Sequence, residues 1–237
     1  MPTVLCGSLA LAGEKALSWF SRLGGTGWLT YLGVAASIVA PAIVWPRSRV
    51  SPSARSFAWW LVLGGATNLV GLTFAHLGMN NHGVFLGYRL LSVLLLGLTG
   101  YQLLSAPTQR RLVVGGTVVY LLFWLALTVS GVESLTYFSR FTSPGEKAAG
   151  ILLGVLLVAQ SIRASAESPL RRPEAWIGIG LVLASATALT VFPIMGELAH
   201  RSGDQAMQLK RISSLFGDVA LVLWCIPYWK RSVTWTR

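Results

Sequence analysis

LVVGGTVVYLLFWLALTVS, residues 112–130, carries no charged side chain, and its polar groups are two threonines, one tyrosine and a terminal serine. At 1.5 Å of rise per residue the run reaches about 28 Å as a helix, close to the ~30 Å hydrocarbon core of a bilayer. Its apolar residues are continuous rather than alternating, and lipid offers no partner to unpaired backbone groups, so a transmembrane helix is the reading. Working outward, six further stretches read the same way: 27–45, 56–77, 83–104, 148–166, 175–195 and 212–229. The stretch 148–166 reaches full length only if Arg163 snorkels to the interface, and Pro144-Gly145 and Ser168-Pro169 break the chain on either side of it. The expected fold is an all-α integral membrane protein, a seven-transmembrane-helix bundle. Residues 1–26 form an N-terminal interfacial segment, 27–230 the transmembrane domain and 231–237 a cytoplasmic tail.

Composition agrees. Hydrophobic residues make up 54% of the chain and charged residues 11%, against about 25% charged in an ordinary soluble domain. So few charges cannot clothe a water-facing surface, and the lipid bilayer is the partner implied. The formal charge of +11 comes from Lys and Arg placed between apolar segments rather than along one stripe. That pattern suits loops meeting anionic headgroups and points away from nucleic acid. Cys6 and Cys225 fall on opposite sides of the bilayer in this topology, so no disulfide is expected between them. Residues 1–13 lack the basic start and long apolar run of a secretory signal.

Direction follows from the cations. Arg47, Arg49, Arg55, Arg110, Arg111, Arg163, Arg171, Arg172, Lys230, Arg231 and Arg237 fall on one side. Lys15, Arg22, Arg140, Lys147, Arg201, Lys210 and Arg211 fall on the other, offset by Glu14, Glu133, Glu146, Glu197 and Asp204. The N-terminus is therefore expected outside and the C-terminus inside, in a multi-pass protein of the bacterial cytoplasmic membrane. Trp45, Trp59, Trp60, Trp176 and Trp229 stand at the inner ends of their spans as interfacial anchors, with Trp28 and Tyr31 at an outer end. Residues 9–23 mix leucines, Trp19 and Phe20 with Glu14, Lys15 and Arg22. They read as an interfacial amphipathic helix or as a short helix packed on the bundle. Pro41 and Pro193 mark positions for kinks, and no internal repeat is evident.

Charges inside a membrane are costly, which makes each a functional candidate. Arg89 and Asp218 each lie six residues in from the outer start of a span, about 9 Å deep. Equal depth and opposite sign predict an interhelical ion pair, either as structural glue or as part of a pocket or proton path. His76, His82 and His200 fall at outer helix ends near Glu197, and Glu197 and His200 share a face at i, i+3. That outer rim of His76, Asn80, Asn81, His82, Glu197 and His200 is a candidate polar site. Its imidazoles and carboxylate suit a metal, though they equally read as ordinary interfacial residues. Asn68, with Thr67 and Thr73 near it, reads as a helix–helix hydrogen-bonding group. Gly64, Gly65, Gly71, Gly178, Gly180 and Ala184 read as close helix contacts, since no strand precedes Gly178-x-Gly180 as a nucleotide loop would require. No lysine stands in the seventh span to hold retinal, and no hydrolase motif is present. No cofactor is named by these residues.

The stretch Gly78-Met79-Asn80-Asn81-His82, leading to Phe85 and Tyr88, resembles a group of small bacterial seven-helix membrane proteins, some associated with sensor histidine kinases. In that pattern the Asn pair caps the third helix, and an aromatic and an acidic residue follow within it. Asn80, Asn81 and Tyr88 match, Ser92 stands where the acid would be, and Arg89 has no counterpart. The resemblance implies a sensory or accessory module rather than an enzyme. Three readings follow: a non-catalytic signalling or accessory subunit with a protein partner in the membrane, a small-solute transporter using Asn68, Asp218 and Gln160, or a membrane enzyme built on the outer His/Glu cluster.

Overall fold

The computed structural model describes residues 27–133, 141–163, 168–201, 203–230, 233 and 235, while the side chains of residues 27–32, 75–76, 192, 195–201, 203–204, 206–207 and 210 are outside the description. The N-terminal interfacial segment, with Cys6 and the amphipathic stretch 9–23, lies outside the described residues. The described residues form seven α-helices: α1 Gly27–Val44, α2 Pro52–His76, α3 His82–Leu103, α4 Pro107–Val129, α5 Thr142–Arg163, α6 Pro173–Arg201 and α7 Gly203–Trp229. Two 3-10 turns, Trp45–Val50 and Pro169–Arg171, serve as connectors. Six of the helices contain windows long and apolar enough to cross a membrane: Pro52–Phe74, His82–Leu103, Pro107–Val129, Thr142–Arg163, Pro173–Val191 and Arg211–Trp229. The protein is a polytopic helical membrane protein.

Proline sets several starts. Pro52, Pro107 and Pro173 open their helices, where a missing N–H costs nothing. Glycine sets two stops. Gly78 and Gly131 adopt φ of 69° and 71°, and the amide of Met79 bonds back to the carbonyl of Phe74 at 2.8 Å to finish α2. α1, α6 and α7 run unbroken through Pro41, Pro193 and Pro227. α6 and α7 both extend past their apolar windows, so residues 192–201 and 203–210 are helical beyond the spans.

Six helices close a ring in which α1 packs on α2, α2 on α3, α3 on α5, α5 on α6, α6 on α7, and α7 back on α1. α4 stands outside the ring against α3 and α5. Only 11% of its apolar window is buried, and Val119, Leu122 and Val129 are strongly exposed, which makes α4 the least buried of the six apolar windows. The cation-rich connections share one end of the bundle. There Arg47 donates to the carbonyls of Tyr228 and Trp229, satisfying the end of α7, and Lys230 stands 6.0 Å from the Trp176 ring. Beside them Arg110 donates to the Leu104 carbonyl.

Several expectations change here. The fifth helix begins at Thr142 rather than 148, so Glu146 and Lys147 belong to the bundle and not to a loop. Trp59 remains 48% exposed as an anchor, but Trp60 is 7% exposed inside the core. Successive residues on a helix point about 100° apart, so the two could not both face headgroups. Gln160 lines neither of the two cavities described below; it accepts from the backbone and hydroxyl of Ser105 and donates to Leu103, fastening the α3–α4 turn. In the tail, Trp235 folds back, its indole 4.9 Å from Tyr228 and bonded to the Pro227 carbonyl.

Candidate functional site

The ring surrounds a half-open cavity of about 340 Å³ whose wall draws on α1, α2, α3, α5, α6 and α7. Its polar groups are spread over all six helices: Ser37 (α1), Asn68 (α2), Tyr88 (α3), Glu146 and Lys147 (α5), Ser185 (α6), and Ser214 and Asp218 (α7). Asn68 donates to Ser37 at 3.1 Å, tying α2 to α1 at the rim. Glycine makes the enclosure possible. A side chain on Gly65 would meet the Ser37 carbonyl, and one on Gly180 would meet the Trp224 indole, so the helices approach at their smallest residues. Phe57, Trp60 and Trp224 pack edge and face with ring centroids 4.9–6.1 Å apart and close the cavity toward the cation-rich end.

One wall is a buried polar chain. The Trp60 indole donates to Ser92 at 2.8 Å, and Ser92 donates to Glu146 at 3.0 Å. Glu146 in turn accepts from Lys147 at 3.2 Å. Glu146 is 4% exposed, so a carboxylate there depends on these partners. It recurs on the buried face of α5 with Thr142, Gly150, Leu153 and Leu157. That i, i+4, i+7 series is the signal by which the sequence alone reveals it. Glu133 is a second missed acid. At 2% exposure it accepts from the amides of Phe141 and Thr142 and from the Thr142 hydroxyl, capping α5. Glu133→Ala is expected to destabilise the protein by about 2 kcal/mol, since a cap and charge-assisted bonds vanish together. Glu133→Gln should cost less, and thermal unfolding in mild detergent reads both.

The Arg89–Asp218 pair is not formed. α3 and α7 are not neighbours in the ring, and the cavity lies between them. Arg89 is 9% exposed, and its Nη1 has no hydrogen-bond partner among the described residues. It lies within electrostatic reach of Tyr88 and Tyr120, as does Glu146. Asp218 faces Gly33 on α1, whose missing side chain leaves room for Oδ1. Among the described residues it meets no hydrogen-bond donor and no cation.

At the opposite end from the arginine-rich loops, Asn80 accepts from the His82 amide at 2.8 Å, which satisfies the first amide of α3. Asn81 occupies the N-cap position but donates across to the Gly71 carbonyl of α2. The side chains of His76, Glu197 and His200 lie outside the described residues, so the outer rim is described only at Asn80, Asn81 and His82. Among the described residues no group of three or more His, Cys, Asp or Glu gathers to hold a metal. A second crevice, about 360 Å³ and almost wholly apolar, runs between α3, α4 and α5 toward lipid.

No protein-family model, curated protein or solved structure matches the chain. Fold and site define its class: a polytopic helical membrane protein in contact with the bilayer, with a ligand-sized, mainly apolar cavity that carries several polar groups between six packed helices.

Proposed function

We propose that this chain is a sensory or accessory module of the bacterial cytoplasmic membrane that recognises a small molecule inside its bundle. One observation carries the reading: all six ring helices contribute to a single cavity of about 340 Å³. An occupant there touches every helix of the ring, so its binding energy biases their packing, which is the physical requirement for sensing. A seventh crossing is supported by α1, whose 18 residues reach about 27 Å. The inward C-terminus is supported by the gathering of Arg47, Arg110, Arg171 and Lys230 at one end. The Asn80-Asn81 resemblance to proteins associated with sensor kinases favours a protein partner in the membrane over catalysis.

Thermal unfolding of the purified protein in lipid nanodiscs against a small-molecule panel tests the reading. At least one compound is expected to raise Tm saturably. Gly217 lines the cavity, and a Cβ there would meet nothing within 4 Å, so Gly217→Leu adds bulk to the cavity wall. That variant should fold and lose the effect; a response unchanged in Gly217→Leu removes the cavity from the function. A small-solute transporter is the second reading, favoured by the ionisable Asp218 in the cavity wall. Solute flux into proteoliposomes that Asp218→Asn abolishes would select it.

A further inference from the structure

We propose that the central cavity takes a small organic monocation, an ammonium compound, with Asp218 as its counter-charge. The proposal rests on the cavity being a binding site and names the chemistry of its occupant.

Three ionisable acid or base side chains line the cavity: Glu146, Lys147 and Asp218. Glu146 and Lys147 neutralise each other at 3.2 Å, and Glu146 is further held by Ser92. Asp218 stands across the cavity on α7, inside the Arg211–Trp229 span, and no described residue donates to it. Among the described lining residues, Asp218 is therefore the one carboxyl group with no cation or donor beside it. An isolated carboxylate away from bulk water is strongly disfavoured, and a cation brought beside it removes that cost. Arg89, the nearest alternative on the sequence, sits on α3 and contributes nothing to the lining.

The remaining lining selects the kind of cation. A bare divalent ion needs six or more converging oxygens, and Asp218 alone does not provide them. Trp60, Tyr88 and Trp224 instead present aromatic surface to the same space, which suits an ammonium group carrying apolar substituents. Ser37 and Asn68 at the rim, and Ser185 on α6, offer polar contacts for a substituent bearing a hydroxyl. About 340 Å³ is room enough for such a molecule with its substituents. Free amines and ammonium-bearing lipid headgroups share this chemistry.

The experiment uses the full chain purified in a maltoside detergent that carries no ammonium. Tetramethylammonium, benzylammonium and choline are titrated against the neutral analogues benzyl alcohol and 3,3-dimethylbutanol, with Tm as the readout. The cations are expected to raise Tm saturably and the neutral analogues not to. Asp218→Asn, which keeps shape and removes charge, should weaken the response at least tenfold, and Gly217→Leu should abolish it. Micelles doped with phosphatidylethanolamine or with phosphatidylglycerol separate the sources. A response to phosphatidylethanolamine that blocks the free amines assigns the site to a headgroup, and additive responses assign it to a free amine. Neutral or anionic compounds that act on the wild type and fail on Gly217→Leu would overturn the cation while leaving the cavity as a binding site. Cations acting equally on Asp218→Asn would overturn the counter-charge. No response to any compound, with Gly217→Leu unfolding like the wild type, would overturn both.

Discussion

Replacing Gly154 with leucine is expected to keep α5 and α6 from meeting and to abolish a monodisperse folded protein in mild detergent. A Cβ at position 154 would lie 2.7 Å from the Gly178 carbonyl oxygen and 2.8 Å from Val182 Cγ2. The relation is reciprocal: a Cβ on Gly178 would lie 2.7 Å from the Gly154 carbonyl and 2.9 Å from Val158 Cγ2. Because the obstacle on each side is backbone, no rotamer change relieves it, and the helices must separate. In a membrane, close packing is a main force between helices, so separation removes the contact rather than loosening it. Alanine at 154 should cost about 1–3 kcal/mol, as overpacking does, and leucine more than the fold can absorb. α6 also carries Leu181, Ala184 and Ser185 into the cavity wall, so ligand-induced stabilisation should vanish with the fold. Gly115→Leu is the matched control. Gly115 is exposed on α4 with nothing within 4 Å, and the change should stay within about 0.5 kcal/mol of wild type. Size-exclusion profiles and Tm compare the two. Equal loss in both would show that leucine itself, not the α5–α6 contact, is at fault.

Such contacts were legible from the chain because small residues spaced along an apolar helix have few other uses there. Gly65, Gly71, Gly178 and Gly180 each lie against a neighbouring helix or its side chains. The charge-free runs were equally legible, since lipid permits so few backbone solutions. Polar helix ends were not. Hydropathy assigns Glu146 and Lys147 to a loop, whereas Glu133 caps α5 six residues earlier than the apolar run begins. Depth along a helix could be counted for Arg89 and Asp218, but depth is one coordinate. Their azimuth, and the exclusion of α4 from the ring, depend on which helices pack together. The cavity was hidden for the same reason, being a space shared by six helices that no single segment encodes. Trp60 illustrates the limit at one residue: its neighbour Trp59 faces outward while it reaches Ser92.

Glu146→Ala is expected to be the most damaging single change in the cavity wall, costing about 3–5 kcal/mol as the loss of one member of a buried pair does. It leaves the Ser92 hydroxyl without its acceptor and Lys147 without its counter-charge. The Lys147 side chain is 25% exposed, against 5% for Glu146, so its ammonium can turn partly toward water and the loss should fall at the lower end of that range. Lys147→Met strands the carboxylate instead and should cost a similar amount. The double variant Glu146→Gln with Lys147→Met removes both charges, and the glutamine oxygen still accepts from Ser92. It is expected to recover most of the stability, with a coupling of about 1–3 kcal/mol in a double-mutant cycle. Binding separates this structural role from a role at the site, because the two single variants change the cavity charge in opposite directions. Lys147→Met leaves two uncompensated carboxylates facing the space, while Glu146→Gln sets Lys147 against Asp218. Ammonium binding, measured by titration on the folded fraction, should therefore tighten in Lys147→Met and weaken in Glu146→Gln. Equal shifts of the same sign in both would mean that the pair only holds α5 in place and does not set the charge that a ligand meets.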